Sequence, residues 1–168
     1  MSVNFLVAKC HTYSSRKLFG LCDNPPPAND PAYIDELDGS KWIAVVVNEA
    51  NYDVRFTAID KCIDTLKADG KMDKRCEGFL FYNSTVIFVE LKEKGAKGND
   101  WVVDAEQQVR TSIGYFEASD NADENYKKKA YLCNSQHPKF KSTQINRMDK
   151  FLTETGYVLR IENRIILD

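Results

Sequence analysis

The sequence has only two histidines, His11 and His137, and no nucleophile elbow, so a Ser-His-Asp arrangement has little to draw on. It has no Gly-rich phosphate loop, which removes the usual nucleotide cradles. Its five cysteines, Cys10, Cys22, Cys62, Cys76 and Cys133, include no C-x-x-C pair. Cys133-x-x-x-His137 with Cys10, His11 and Cys22 matches no zinc-finger spacing. The expectation is five reduced thiols in a cytoplasmic protein. No internal repeat and no low-complexity tract occurs. No apolar run is long enough to cross a bilayer, and the stretch before Lys9 is too short for a secretory h-region, so no membrane partner is expected. Strong charge of one sign is also missing. The net charge is -2, so a nucleic-acid partner would have to meet a local basic patch.

What is present suits one domain. The chain has 168 residues with ordinary apolar and charged fractions, enough to bury a core without staples. Asn24-Pro25-Pro26-Pro27 and Pro31 mark an extended loop inside an N-terminal extension, residues 1–40. The β-branched run at 42–47 reads as a buried strand, with 54–56 returning after a turn. A helix is expected over 57–70, capped by Thr57 and stopped by Gly70, with Ala58, Ile59, Cys62, Ile63 and Leu66 on one stripe. Further helices are expected at 103–116 and 142–155, the latter ended by Gly156. Residues 130–133 read as a strand, and 157–161 with 164–167 as a closing hairpin. The fold class is α/β in the mixed α+β sense.

The segment 79–91 is a hairpin about the turn-prone pair Asn83-Ser84. If those two residues form the loop, Tyr82 faces Thr85 and Glu77 lies opposite Glu90. Lys92 then shares a face with Glu90, Phe88 and Val86, while Ile87, Val89 and Leu91 point the other way. Like charges directly opposite are destabilising, so something must offset the repulsion. A divalent cation would do so, since magnesium accepts one or two carboxylates plus water and phosphate. Lys92 could orient or deprotonate water, or stabilise charge on a phosphate. The plainer reading is a salt-bridge cluster in which Lys92 neutralises the two glutamates.

Glu77, a hairpin, and then Val89-Glu90-Leu91-Lys92 resemble the PD-(D/E)xK nuclease superfamily over roughly residues 57–133. That pattern is an acid opening one strand and (D/E)-x-K on the next, often followed by a helix with a glutamine. The resemblance implies a restriction-endonuclease-like core, a central mixed β-sheet flanked by helices. It implies Mg2+ or Mn2+ held by Glu77, Glu90 and the Leu91 carbonyl, with Lys92 as the catalytic lysine. Gln108, in preference to Gln107, fills the glutamine slot, and Asp60 or Asp64 would be the helping acid on a preceding helix. Two departures stand out: the first acid is a glutamate, and no obvious third core strand follows Lys92, although 42–47 could supply it. The implied activity is metal-dependent hydrolysis of phosphodiester bonds in DNA, in bacterial defence or repair. The alternative is a non-catalytic nucleic-acid- or protein-binding module on the same fold, as a homodimer or a subunit of a larger complex. The basic stretch 127–150, with Lys127, Lys128, Lys129, Lys139, Lys141, Arg147 and Lys150, is expected to flank Lys92 and hold a phosphate backbone, or else to be a solvated face.

Overall fold

In the computed structural model, residues 2–93, 100–136 and 144–168 are described. Among these residues ten strands form two sheets. β1 (His11–Ser14), β5 (Val54–Ala58), β6 (Gly78–Tyr82), β7 (Thr85–Lys92), β8 (Lys127–Asn134) and β9 (Val158–Ile161) make a six-stranded sheet in the order β1-β5-β6-β7-β8-β9. β10 (Arg164–Ile166), β4 (Ala44–Val47), β2 (Leu18–Cys22) and β3 (Tyr33–Asp35) make a four-stranded sheet in the order β10-β4-β2-β3. β5, β6 and β7 are an antiparallel meander, and β8 and β9 add on in parallel. The helices α1 (Asp100–Glu117) and α2 (Ile145–Thr155) are the crossovers that parallel pairing requires. The chain is therefore mixed α+β.

The large sheet is covered on both faces. Val86 and Phe88 of β7 join Val109, Ile113 and Phe116 of α1 and Phe151 of α2 in one core. Ile87, Val89 and Leu91 join Phe19, Leu21, Val46 and Ile165 of the small sheet in the other. Helices, large sheet and small sheet thus form three layers. Burial on both faces explains why β7 reads as a nearly unbroken apolar run. The alternation also places Glu90 and Lys92 on the helix side, as the hairpin pattern predicts.

Several expectations are corrected. No helix occupies 57–70. Thr57 and Ala58 finish β5, and the amides of Ile59 and Asp60 continue the ladder onto the carbonyls of Glu77 and Cys76. Beyond Ile63 the chain makes a small loop with a single bridge, Leu66 to Met72, and Gly70 turns it at φ +82°. The five residues share no single face: Ile59 and Ile63 join the helix-side core, Ala58 joins the core between the sheets, and Leu66 is exposed, because pairing with the segment before β6 keeps the chain extended through Asp60. The strands at 157–167 do not pair with each other. β9 returns from α2 alongside β8, and the chain then passes into the small sheet, where β10 pairs with β4 in parallel. The 42–47 run serves that small sheet, so the strand on the far side of β7 is β8. Residues 11–35, read as part of an extension, supply β1 to one sheet and β2 and β3 to the other.

The thiols also differ from expectation. Cys10 and Cys62 are bonded, while Cys22, Cys76 and Cys133 are free and buried. The antiparallel register of β1 on β5 sets His11 opposite Thr57, which carries Cys10 to the loop that holds Cys62. A partner 52 residues away is invisible to local spacing. Among the described residues no helix is long and apolar enough to cross a membrane.

Candidate active site

The site begins with the turn. Asn83 and Ser84 both have positive φ, +41° and +54°, as a two-residue hairpin loop of the I′ type requires. Tyr82 pairs with Thr85 and Gly78 with Val89. Continuing the register one step brings Glu77 opposite Glu90, and the Glu77 N–H donates to Glu90 Oε1 at 3.0 Å. Both side chains are buried, Glu90 to 1 % and Glu77 to 8 % residual exposure. Lys92 Nζ lies 2.9 Å from Glu90 Oε2. Its ammonium also donates to Gln108 Oε1 at 2.8 Å and, more weakly, to Asp104 Oδ2 at 3.5 Å.

α1 delivers those two partners because Asp104 and Gln108 are four residues apart on one face. Gln107, one residue away, is exposed and accepts from Lys74 instead. Leu91 sits between Glu90 and Lys92, and its side chain belongs to the core between the sheets. Asp60 lies in the loop after β5, where it pairs with Arg75 at 3.1 Å; Asp64 is exposed.

Sequence reasoning missed Asp23. It follows β2, is half-buried, and pairs with Lys61 at 3.7 Å. It lines a cleft of about 340 Å³ with Pro25, Ile43, Leu91 and Lys92. The only local signal was an acid two residues before the proline run, which does not specify a site.

Burial and mutual repulsion govern the charges. Burial first, and then the Glu90 charge, push the Glu77 carboxyl well above its ordinary range, with Asp23 and Asp60 adding to the effect. Burial also raises Glu90, while Lys92 and the Glu77 N–H pull it back. Burial alone would lower Lys92, but Glu90 and Asp104 reverse that and hold its ammonium charged. Glu90 is thus the better satisfied carboxylate. Glu77 Oε2 is buried with no hydrogen-bond partner.

An orphaned carboxylate oxygen beside a second carboxylate suits either a proton or a hard cation. Among the described residues no group of three or more His, Cys, Asp or Glu side chains is arranged around a metal position. A magnesium site needs fewer, because it keeps several waters. Glu77 and Glu90 therefore fit such an ion. Of the cysteines and histidines considered for zinc, Cys10 is bonded to Cys62, and His137 lies outside the described residues.

The basic stretch divides. Lys127 pairs with Thr85 while Asn134 pairs with Lys92, so Lys127, Lys128 and Lys129 sit at the far end of β8. Seven residues of strand separate the two ends, roughly 23 Å. Lys128 and Lys129 are moreover paired with Glu117 and Asp168. The expectation that they flank Lys92 is corrected: parallel pairing of β8 on β7 carries them away. Arg147, at the start of α2, bonds Glu106 of α1. Lys139 and Lys141 lie outside the described residues. Comparison with family models, with curated proteins and with solved structures gave no match.

The raised Glu77 pKa has a measurable consequence. In the folded protein Glu77 keeps its proton to higher pH than in the unfolded chain, so metal-free stability falls as pH rises above the ordinary carboxyl value of 4.5. Glu77→Gln removes that slope. Its stability should match wild type near pH 4.5 and exceed it increasingly towards pH 8, by on the order of 2 kcal/mol, read as a rising melting temperature. Parallel melting curves across this range would refute the assignment.

Proposed function

We propose that this protein is a metal-dependent nuclease that hydrolyses phosphodiester bonds in DNA, on a core of the PD-(D/E)xK kind. The observation that carries the reading is the buried pair Glu77 and Glu90, with an orphaned oxygen on Glu77 and a charged Lys92 fixed beside it. The antiparallel meander β5-β6-β7, followed by α1 and a parallel β8, supports it. So does the contact of Gln108 with Lys92. Glu77, Glu90 and the Leu91 main-chain carbonyl would hold Mg2+ or Mn2+. Such an ion polarises a phosphate and lowers the pKa of bound water.

The chain's own groups do the rest. Glu90 and Gln108 fix the Lys92 ammonium, which has three N–H donors. The third points at Asp104, the longest of its contacts and 56 % exposed on its side chain. A phosphate oxygen entering the cleft beside Leu91 and Lys92 would replace Asp104 there. Lys92 would then stabilise charge developing on the phosphate, or orient the attacking water. Pro25 and Ile43 line the other side of the cleft.

A second reading is a binding module on the same fold. It is favoured by the satisfaction of Glu90 within the chain, by the Glu77 N–H and by Lys92. Thermal unfolding with and without Mg2+ or Mn2+, run beside cleavage of a plasmid and a single-stranded oligonucleotide, separates the two. The nuclease reading expects a metal-dependent rise in melting temperature together with cleavage. Neither effect in the wild-type protein would end it.

A further inference from the structure

The group around Glu77 contains a second lysine that the proposed chemistry leaves unused. Lys61 is only 21 % exposed on its side chain, and its Nζ lies 3.7 Å from Asp23 Oδ1. That oxygen accepts no hydrogen bond. Ile59 and Asp60 are tied by their amides to the carbonyls of Glu77 and Cys76, which places Lys61 directly beside the entry to β6. Its backbone is left-handed, φ +64°, a conformation uncommon for a lysine. Both Asp23 and Lys61 act electrostatically on Glu77, with opposite signs. Asp23 shares the cleft with Leu91 and Lys92. Glu77 itself is more than nine-tenths buried, with Oε2 unpartnered.

An ammonium held among carboxylates does part of what a divalent ion would do: it offsets their repulsion. It donates hydrogen bonds and cannot coordinate the orphaned oxygen of Glu77 and the Asp23 carboxylate together in fixed geometry, as a hard cation does. We infer that Lys61 is a built-in counter-cation of this acidic group, and that a divalent cation binds by displacing it from Asp23, which becomes a further carboxylate of the site. This rests on the nuclease reading for the presence of a metal, but it adds both Asp23 and the competition with Lys61.

The test is Mn2+ binding to the full chain, followed by the electron paramagnetic resonance of free Mn2+, which needs no catalysis. Lys61→Asn removes the charge with a residue that tolerates positive φ; Lys61→Arg keeps it. Lys61→Asn should bind Mn2+ roughly five- to tenfold more tightly than wild type, and Lys61→Arg about as wild type. Asp23→Asn should bind at least about tenfold more weakly. Circular dichroism verifies that each variant is folded. Wild-type binding that none of the three variants changes would overturn this inference and leave the nuclease reading standing. Binding by Lys61→Asn but not by wild type would support it in a strong form. Absence of binding in every protein would remove both.

Discussion

Lys92→Met is expected to lower phosphodiester cleavage by roughly 100- to 1,000-fold while Mn2+ binding persists. The ammonium is placed to act on water or phosphate, and Glu77 and Glu90 remain to hold the ion. The substitution also has a structural cost. Glu90 is 1 % exposed, and Lys92 supplies its closest ionic partner. Without that partner a buried carboxylate is left uncompensated, and stability should fall by about 2 kcal/mol at pH 8. The loss should shrink at pH 5, because Glu90 can then take up a proton. Melting at the two pH values, beside cleavage assays, separates the catalytic effect from the structural one. A Lys92→Met protein that loses stability but cleaves as well as wild type would exclude the lysine from the chemistry. A simple salt-bridge cluster predicts the stability change alone, with no cleavage to lose.

Gly78→Ala should produce the largest loss of stability. Gly78 opens β6 immediately after Glu77 and pairs with Ala58 on one side and Val89 on the other. A Cβ there would stand 2.2 Å from the Thr57 carbonyl oxygen and 2.6 Å from Phe56 Cζ. The first of these is backbone in a central strand and cannot give way without opening the β5-β6 ladder. A destabilisation of about 3 kcal/mol is expected, and any Mn2+-induced stabilisation should disappear with it, because Glu77 moves with the strand. Gly114→Ala is the contrast. It lies in α1 with nothing within 4 Å of its would-be Cβ, so it should stabilise by about 0.5–1 kcal/mol. Equal denaturation midpoints for the two variants would contradict this packing account.

The parts of the molecule that could be read from the sequence are those set by neighbours. The hairpin 78–92 follows from two β-rich runs about a two-residue turn, and its register sets Glu77 against Glu90. α1 and α2 follow from their apolar stripes, and the end of α2 from Gly156 at φ +79°. Long-range pairing was not legible. The 57–70 stripe fits a helix by period, yet the competing ladder with residues 76–77 decides its form. Asp23 acts electrostatically on Glu77 across 54 positions, from just beyond a strand of the other sheet. No spacing rule connects the two. The same holds for Cys10 and Cys62, and for lysines 127–129, whose distance from Lys92 follows only from the parallel sense of β8.

The bond between Cys10 and Cys62 closes a covalent ring that contains β1 to β5 and the proline-rich loop at 24–31. Asp23 and Lys61 both lie inside this ring, while Glu77, Glu90 and Lys92 lie outside it. Each half of the acidic group is therefore carried by a different piece of the chain's connectivity. A peptide-bond cut in the exposed proline loop would leave the two fragments joined through sulfur, so the nicked molecule would run as one band without reductant and as two with it. Asp23 would remain attached to the molecule through its own fragment, but the strand that presents it would have gained a free end.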